Sequence, residues 1–306
     1  MKLGTVEIDG LTAVAIWVAE SKIALMPRHY SNVDTVLRSQ GAWSIDANAA
    51  IESSERYSTE EIAWLPPIVS PGKILCVALN NSANPDRIIS GPETPAMFVK
   101  PSSSLVGHRH PIIVKDSYGR VHPEPELAVV IGRAGADIPV ESAMDHIFGY
   151  TIVNDITSPT MRAEDTFHYR AIHPASDNPA QVSYVESWVS YPARYKGADT
   201  FGPMGPWVVT SDEIPDPHAL TVRCSHNGRV VTDDSTANLR FSVSQVIAFV
   251  SSYLTLQVGD VIAMGTALRP SATGGAVQNV DLTQLGGTIE VSIERIGTLS
   301  NPVEHR

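Results

Sequence analysis

Apolar residues in this chain gather into short runs bounded by turn-forming residues. "KILCVALN", "PELAVVIG" and "YTIVND" are continuous and end at Asn, Gly or Asp, which predicts buried strands. "PAMFVKP", "HPIIVK", "GPWVVTSDE", "DVIAMGT" and "TIEVSIERIG" predict further strands. In "LTVRCSHNGRVVTDD" the pair Asn227-Gly228 separates two strand patterns and predicts a tight hairpin. Helical periodicity is scarcer. Residues 242–254 open with Ser242 and Gln245 in capping-box spacing, and Val243, Val246, Ile247, Val250 and Leu254 form one stripe. A weaker helix is expected over 140–148. The first 65 residues predict a small antiparallel sheet from "TVEIDG", "LTAVAIWVA" and "SKIALMP", with turns at Asp9-Gly10 and around Glu20. "TEEIAWLPPIVSPGK" reads as a linker because Pro66, Pro67 and Pro71-Gly72 break regular structure. The expected boundary near 68 separates a small N-terminal β domain, 1–68, from a larger domain, 69–306. Strands do not alternate with helices as in a doubly wound sheet. The expected fold class is therefore strand-rich α+β with a few flanking helices.

The 306 residues are 43 % hydrophobic and 18 % charged, a balance that suits a folded globular chain. The formal net charge of −11 argues against a nucleic-acid partner, which requires a basic face. Cys76 and Cys224 lie far apart in apolar runs, so they make neither a zinc site nor a disulfide framework, and a reducing cytoplasm is expected. No apolar run approaches the roughly 18 residues of a membrane span. Leu11 to Ala19 reads as a strand rather than a signal core, because Glu7 and Asp9 precede it.

The nucleophile elbow, the phosphate loop and the dinucleotide fingerprint are all absent from the sequence. The sharpest local feature is "HPEPELAVVIG". Glu124 and Glu126 are two apart at a strand mouth, so both carboxylates face the same way. Like charges side by side call for a cation or a shared proton. A hard divalent cation would take such oxygens; a solvated acidic strand end is the other reading. Asp155 ends the run "YTIVND" and is either a turn residue or a third oxygen ligand. In "RYKGADTFGPMGPWVVT", Lys196 is either an ordinary surface lysine or a charge that steadies a developing anion. Gly265-Thr266 closes "DVIAMGT" as a plain strand end or as a donor to substrate oxygen.

Taken in order, "PGKILCVALN", "KPSSSLVG", "PELAVVIG", "GYTIVND", "KGADTFGPMGPWVVT", "FSVSQVIAF", "LQVGDVIAMGT" and "IGTLSNPV" resemble the fumarylacetoacetate hydrolase family. They run from Pro71 to Val303. The resemblance implies a distorted β-roll with a mixed sheet behind a small N-terminal domain, and a homodimer. It implies Mg²⁺ or Mn²⁺ held by Glu124, Glu126 and Asp155. It implies Lys196 as the catalytic lysine, with Gly265, Thr266 and Lys100 contacting substrate. The substrates it implies are small anionic 2-keto acids, 2,4-dioxo acids above all, handled through an enolate.

The chain departs from the family pattern at several positions. Hydrolases of the family often carry a water-activating His and, three residues later, a Glu; here those positions read Asn84 and Arg87. The usual "NDxSARxxQ" reads "NDITSPTMR", with Pro159 at the Arg position and Arg162 at the Gln position, where it is expected to bind substrate. Residues 163–195 form an extended, irregular-looking segment, expected as a lid or dimer contact. Its His168 and His173 are candidate replacement bases. His108 and His110 have weaker claims, and His122 lies close enough to Glu124 to support it.

The expected activity is metal-dependent hydrolysis of a C–C bond in an acylpyruvate-like 2,4-dioxo acid. The alternative uses the same site for decarboxylation, keto–enol isomerisation or dehydration, which the missing His–Glu pair favours. A catalytically silent, metal-retaining binding protein is the third reading. An acidic surface would not steer anionic substrates in, so attraction must come from a bound cation together with Lys196, Lys100 and Arg162.

Overall fold

The computed structural model describes residues 1–306 apart from 20, 40, 54, 61 and 273. The strands that matter for the site are β1 (Lys2–Ile8), β2 (Ile74–Ala78), β3 (Ala96–Lys100), β4 (Pro125–Ile131), β5 (Ile147–Asn154), β6 (Thr166–Pro174), β7 (Val182–Ser190), β8 (Gly202–Thr210) and β9 (Val261–Ala263). The helices are α1 (Pro159–Glu164), α2 (Ala193–Gly197) and α3 (Val243–Ser251).

One twelve-stranded sheet dominates. Its central path runs β1-β8-β5-β4-β9-β2-β3. The β9–β2 pair is parallel and the other pairs along this path are antiparallel, so the sheet is mixed. A second, five-stranded sheet is built largely from the C-terminal third, including the hairpin across Asn227-Gly228. All seven residues of β4 are buried, as a continuous apolar run between two neighbours requires. The class is strand-rich α+β with unclosed sheets, as expected.

The N-terminal strands Lys2–Ile8, Leu11–Ala19 and Lys22–Leu25 pair in succession, and the turn expected around Glu20 lies outside the described residues. These strands continue the main sheet through the pairing of Leu3 with Val208. One apolar core contains Leu3, Val14 and Ile16 together with Ile74, Ala128 and Val261. The segment expected as a linker is held in place. Ala63–Trp64 pairs with β1, Ile68 is fully buried, and the Asp34 carboxylate accepts from the amides of Val69 and Ser70.

The expected helix over 242–254 is α3, with its Ser242–Gln245 capping box formed. The expected helix over 140–148 is instead a 3₁₀ turn, Val140–His146, and Ile147 already belongs to β5. Pairing of β5 with β4 and β8 overrides the short helical pattern there. The segment 163–195 is also more regular than its sequence suggested. β6 and β7 form a two-stranded antiparallel ribbon from Thr166↔Ser190 to Pro174↔Val182, joined to no other sheet among the described residues. Its apolar residues lie on both faces, so it lacks the alternation that marks a strand.

Candidate metal centre and cavity

The register of β4 against β5 builds the cluster. Pro125 opposes Asn154, so Glu124 and Asp155 lie side by side just beyond the paired strands. Two hydrogen bonds lock this corner: the Asp155 amide donates to the Glu124 carbonyl at 2.8 Å, and the Glu124 amide donates to Asn154 Oδ1 at 2.8 Å. β9 flanks β4 on its other side, and the chain leaving it stays close. Met264 and Ala267 donate backbone N–H groups to the carbonyls of Leu127 and Pro125. That path carries Gly265 and Thr266 past the two glutamates. Gly265 has φ +102°, and a Cβ there would stand 2.7 Å from Asn80 Cβ, so glycine is required.

Carboxylate oxygens of Glu124, Glu126 and Asp155 come within 4.8 Å of one another. Glu126 and Asp155 are almost fully buried and Glu124 is partly open. Lys196, on α2, donates to Glu124 Oε2 at 2.7 Å and to Asp155 Oδ2 at 2.5 Å. Its Nζ also lies 5.2 Å from the centre of the Phe98 ring. Lys100 donates to Asp155 Oδ1 at 2.6 Å and to the Lys196 carbonyl. Among the described residues no lysine hydrogen-bonds to Glu126. Its oxygens accept from the Gly265 amide at 2.9 Å and the Thr266 hydroxyl at 3.1 Å, and that hydroxyl also lies 3.0 Å from Glu124 Oε2.

The pKa shifts follow this partition. Burial, with the neighbouring charge of Asp155, pushes the Glu126 carboxyl up to about 8. Burial opposes ionisation of Asp155 as well, but Lys100 and Lys196 outweigh it and hold that carboxyl below its ordinary value. Burial likewise disfavours the Lys196 ammonium, and the carboxylates of Asp155 and Glu124 more than reverse this, raising its pKa. Lys196 is thus a fixed positive charge, not a base.

The donor set fits a hard divalent cation. Three carboxylates converge on one corner, and the Lys196 ammonium already bridges two of them. The third, Glu126, is left with a raised pKa and no cation of its own, the condition a divalent ion would relieve.

A cavity of about 380 Å³ opens in front of the cluster. Glu124, Glu126, Asp155, Lys196, Thr266 and Arg162 line it, as does Arg87. Two residues expected to touch substrate do not line this cavity. Lys100 is fully buried behind Asp155, with its ammonium committed to Asp155 and the Lys196 carbonyl. Gly265 is absent from the cavity wall, and its N–H is committed to Glu126. Asn84 is exposed off the cavity, capping a 3₁₀ turn with Oδ1 on the Asp86 amide. His168 and His173 lie on the ribbon, away from the cavity. His168 pairs with Glu186 at 2.5 Å and stacks on Trp188 with ring centres 4.3 Å apart. His108 accepts from the Ser300 amide and His110 is tied by its carbonyl to Asn301, so neither reaches the cavity. His122 does line it, with Nε2 3.8 Å from Glu124 Oε1.

Sequence reasoning missed Asn80 and Tyr195 on the cavity wall. The Asn80 amide donates to the carbonyls of Met264 and Phe241 and accepts from the Phe241 N–H, tying three segments together. An Asn at the end of a buried strand was the one available signal.

The sequence model for the fumarylacetoacetate (FAA) hydrolase C-terminal region matches residues 73–304. The chain belongs to the fumarylacetoacetate hydrolase family. It is 32 % identical over 259 residues to a Xenopus laevis protein named oxaloacetate tautomerase fahd2, mitochondrial, covering 84 % of this chain and 73 % of that one. Its fold matches the fumarylacetoacetate hydrolase of Exiguobacterium antarcticum at a TM-score of 0.78 and 27 % identity, covering all of both chains. It also matches a maleylpyruvate hydrolase of Sphingobium sp. SYK-6, solved with manganese(II) and pyruvate, at a TM-score of 0.76 and 23 % identity over 100 % of this chain and 99 % of that one. Enzymes of the family therefore include tautomerases as well as hydrolases. Among the described residues no helix is long and apolar enough to cross a membrane.

Proposed function

We propose that this family member is a divalent-cation-dependent keto–enol isomerase acting on a small 2-keto dicarboxylic acid. The observation that carries this reading is the pair of residues at the water-activating positions. Asn84 lies outside the cavity, and Arg87, on its wall, cannot accept a proton at neutral pH. Keto–enol exchange moves one proton between a carbon and the keto oxygen and consumes no water, so it needs a proton carrier, for which His122 is the imidazole on the cavity wall, but no water-activating pair. The named activity of the Xenopus relative supports the same reading.

Glu124, Glu126 and Asp155 would hold Mg²⁺ or Mn²⁺, whose chemistry when bound is to polarise the keto and carboxylate oxygens of the acid. Lys196, on the cavity wall, would set a permanent ammonium beside the keto oxygen, where negative charge grows as the proton leaves carbon. Thr266 orients both glutamates through its hydroxyl. Arg87 and Arg162 also line the cavity, and among the described residues neither side chain meets a carboxylate. Their guanidiniums suit the second carboxylate of a dicarboxylic acid.

The second reading is hydrolytic C–C cleavage of a 2,4-dioxo acid, which the sequence alone placed first. Likeness to the Exiguobacterium hydrolase across the whole chain favours it. One experiment separates the two. The protein is incubated with oxaloacetate and with 2,4-dioxo acids in ¹⁸O-water, with Mg²⁺, with Mn²⁺ or with EDTA. Isomerisation predicts faster loss of the enol absorbance of oxaloacetate, abolished by EDTA, and intact dioxo acids. Two acid fragments from a dioxo acid, one newly labelled, would establish hydrolysis instead. No cation-dependent turnover of any acid would leave a silent binding protein.

A further inference from the structure

We propose that Tyr195 is a specificity-determining residue whose hydroxyl, with the Arg162 guanidinium, seats the second carboxylate of the substrate. The proposal rests on the reading of that substrate as a dicarboxylic acid and names the group that selects it.

Two short helices set the geometry. α1 carries Arg162 and α2 carries Tyr195. The Ser158 amide, at the start of α1, donates to the Tyr195 carbonyl at 3.1 Å. Arg194, on α2, donates through Nε to the two carboxylate oxygens of Asp165 at 3.1 and 3.2 Å and through Nη2 to Glu164 at 2.7 Å. The two helices are thus tied to each other, and both Arg162 and Tyr195 line the cavity from them. The next residue along α2 is Lys196, which bonds Glu124 and Asp155. One helix therefore serves the acidic corner and the cavity wall beside it.

The phenol is an unfilled donor. Tyr195 is only 8 % exposed, and its ring belongs to the apolar core. Among the described residues its hydroxyl has no hydrogen-bond partner. It is not sealed off either, unlike the equally unpaired hydroxyl of Tyr150. A nearly buried phenol whose oxygen is unpaired yet open faces the cavity that the residue lines. Water satisfies such a group, and a ligand that displaces the water must replace its bond.

Charge identifies the ligand atom. Burial pushes the Tyr195 phenol above its ordinary pKa, against the pull of Arg162, so the hydroxyl keeps its proton at neutral pH. Arg162 can only donate. Two donors from adjoining helices, one of them a cation, match the paired oxygens of a carboxylate. The keto-acid head of the substrate belongs to the cation and Lys196, which leaves its distal carboxylate for this pair.

L-malate and L-lactate test this. Both are 2-hydroxy acids without a keto group, and only malate carries the distal carboxylate. In titration calorimetry on the Mn²⁺-loaded protein, malate should bind more tightly than lactate. Tyr195→Phe removes one oxygen and keeps the ring. It should weaken malate about tenfold, the scale of a hydrogen bond to a charged group, and leave lactate unchanged. The KM for oxaloacetate should rise by a similar factor, with kcat held within about twofold. Tyr253→Phe, at an exposed phenol elsewhere, should alter neither acid. Should Tyr195→Phe fold poorly by circular dichroism, a crystal structure of the unmodified protein with Mn²⁺ and malate decides: Tyr195 Oη should lie within hydrogen-bond distance of the distal carboxylate, and a longer separation would overturn the proposal. A variant that keeps the full preference for malate would overturn it and leave the dicarboxylic reading standing. Equal losses for malate and lactate would mark a structural role and overturn it as well. An unmodified protein without preference for malate would remove the dicarboxylic reading, and the proposal with it.

Discussion

The acidic cluster and the ribbon break opposite rules of burial. The cluster hides carboxylates, with Glu126 and Asp155 almost out of reach of water. The ribbon exposes what should be hidden, with Trp188 at 64 % and Ile172 at 66 % exposure. In the cluster nearly every charge has a partner within the chain. Asp155 has two lysines, Glu124 has Lys196 and Thr266, and Glu126 alone is left with only neutral donors. In the ribbon most of the apolar surface stays open. An unfavourable group persists in a fold where something relieves it, and in the cluster the unrelieved remainder, Glu126, is what the proposed cation would relieve.

The comparison can be tested from its strongest point downward. Asp155→Asn would leave Lys100 and Lys196 as buried cations without their shared carboxylate. Removing one partner of a buried pair costs about 3–5 kcal/mol, and urea unfolding of the variant should show a loss of that order. A loss below about 1 kcal/mol, the range of exposed pairs, would mean that the lysines are not held as described.

Glu126→Gln should act in the other direction on the metal-free protein, because it replaces the one poorly compensated carboxyl with a neutral group. The fold should survive, while titration calorimetry with Mg²⁺ or Mn²⁺ should show a loss larger than the roughly 10–100-fold typical of outer-shell changes. Unchanged affinity would remove Glu126 from the proposed ligand set.

The same residue predicts a pH dependence. Its carboxyl titrates at about 8 in the fold, above its ordinary value of 4.5. A group raised in the folded state stabilises it relative to the ionised form at low pH, and that contribution is lost as pH climbs through the folded value. The metal-free protein should therefore lose stability between about pH 4.5 and 8 through this residue. Glu126→Gln should flatten that part of the curve. Asp155, held below its ordinary value, has the reverse sign, and its contribution falls away only as the pH drops into the acid range. A pH profile identical in Glu126→Gln and the unmodified protein would contradict the raised value.

The smallest effect is expected on the ribbon. His173→Ala changes an exposed side chain that does not line the cavity, so turnover should stay within about twofold. A large loss of turnover would restore the ribbon histidines as candidate bases.

Much of this was legible in the residues. Strand alternation put Glu124 and Glu126 on one side, and the buried runs marked β2, β4 and β5. The capping box marked α3. The short pattern over 140–148 misled, because a few helical-looking residues cannot outweigh two flanking strand pairings. The ribbon read as irregular because an apolar residue on either face erases the period-two signal.

What the sequence determined by itself was local: residue type, spacing, and the departures at Asn84, Arg87, Pro159 and Arg162. With the family resemblance, these already argued for an acidic metal corner without the usual water-activating pair. Only the tertiary structure decided which charges meet. Lys100 and Lys196 are 96 residues apart, yet both converge on Asp155, while Asn84 and Arg87, three apart, part company at the cavity edge. Convergence of this kind depends on sheet order and strand register, which couple residues distant in the chain. That is why Lys100 proved to lie behind the cluster and Arg87 on the cavity wall.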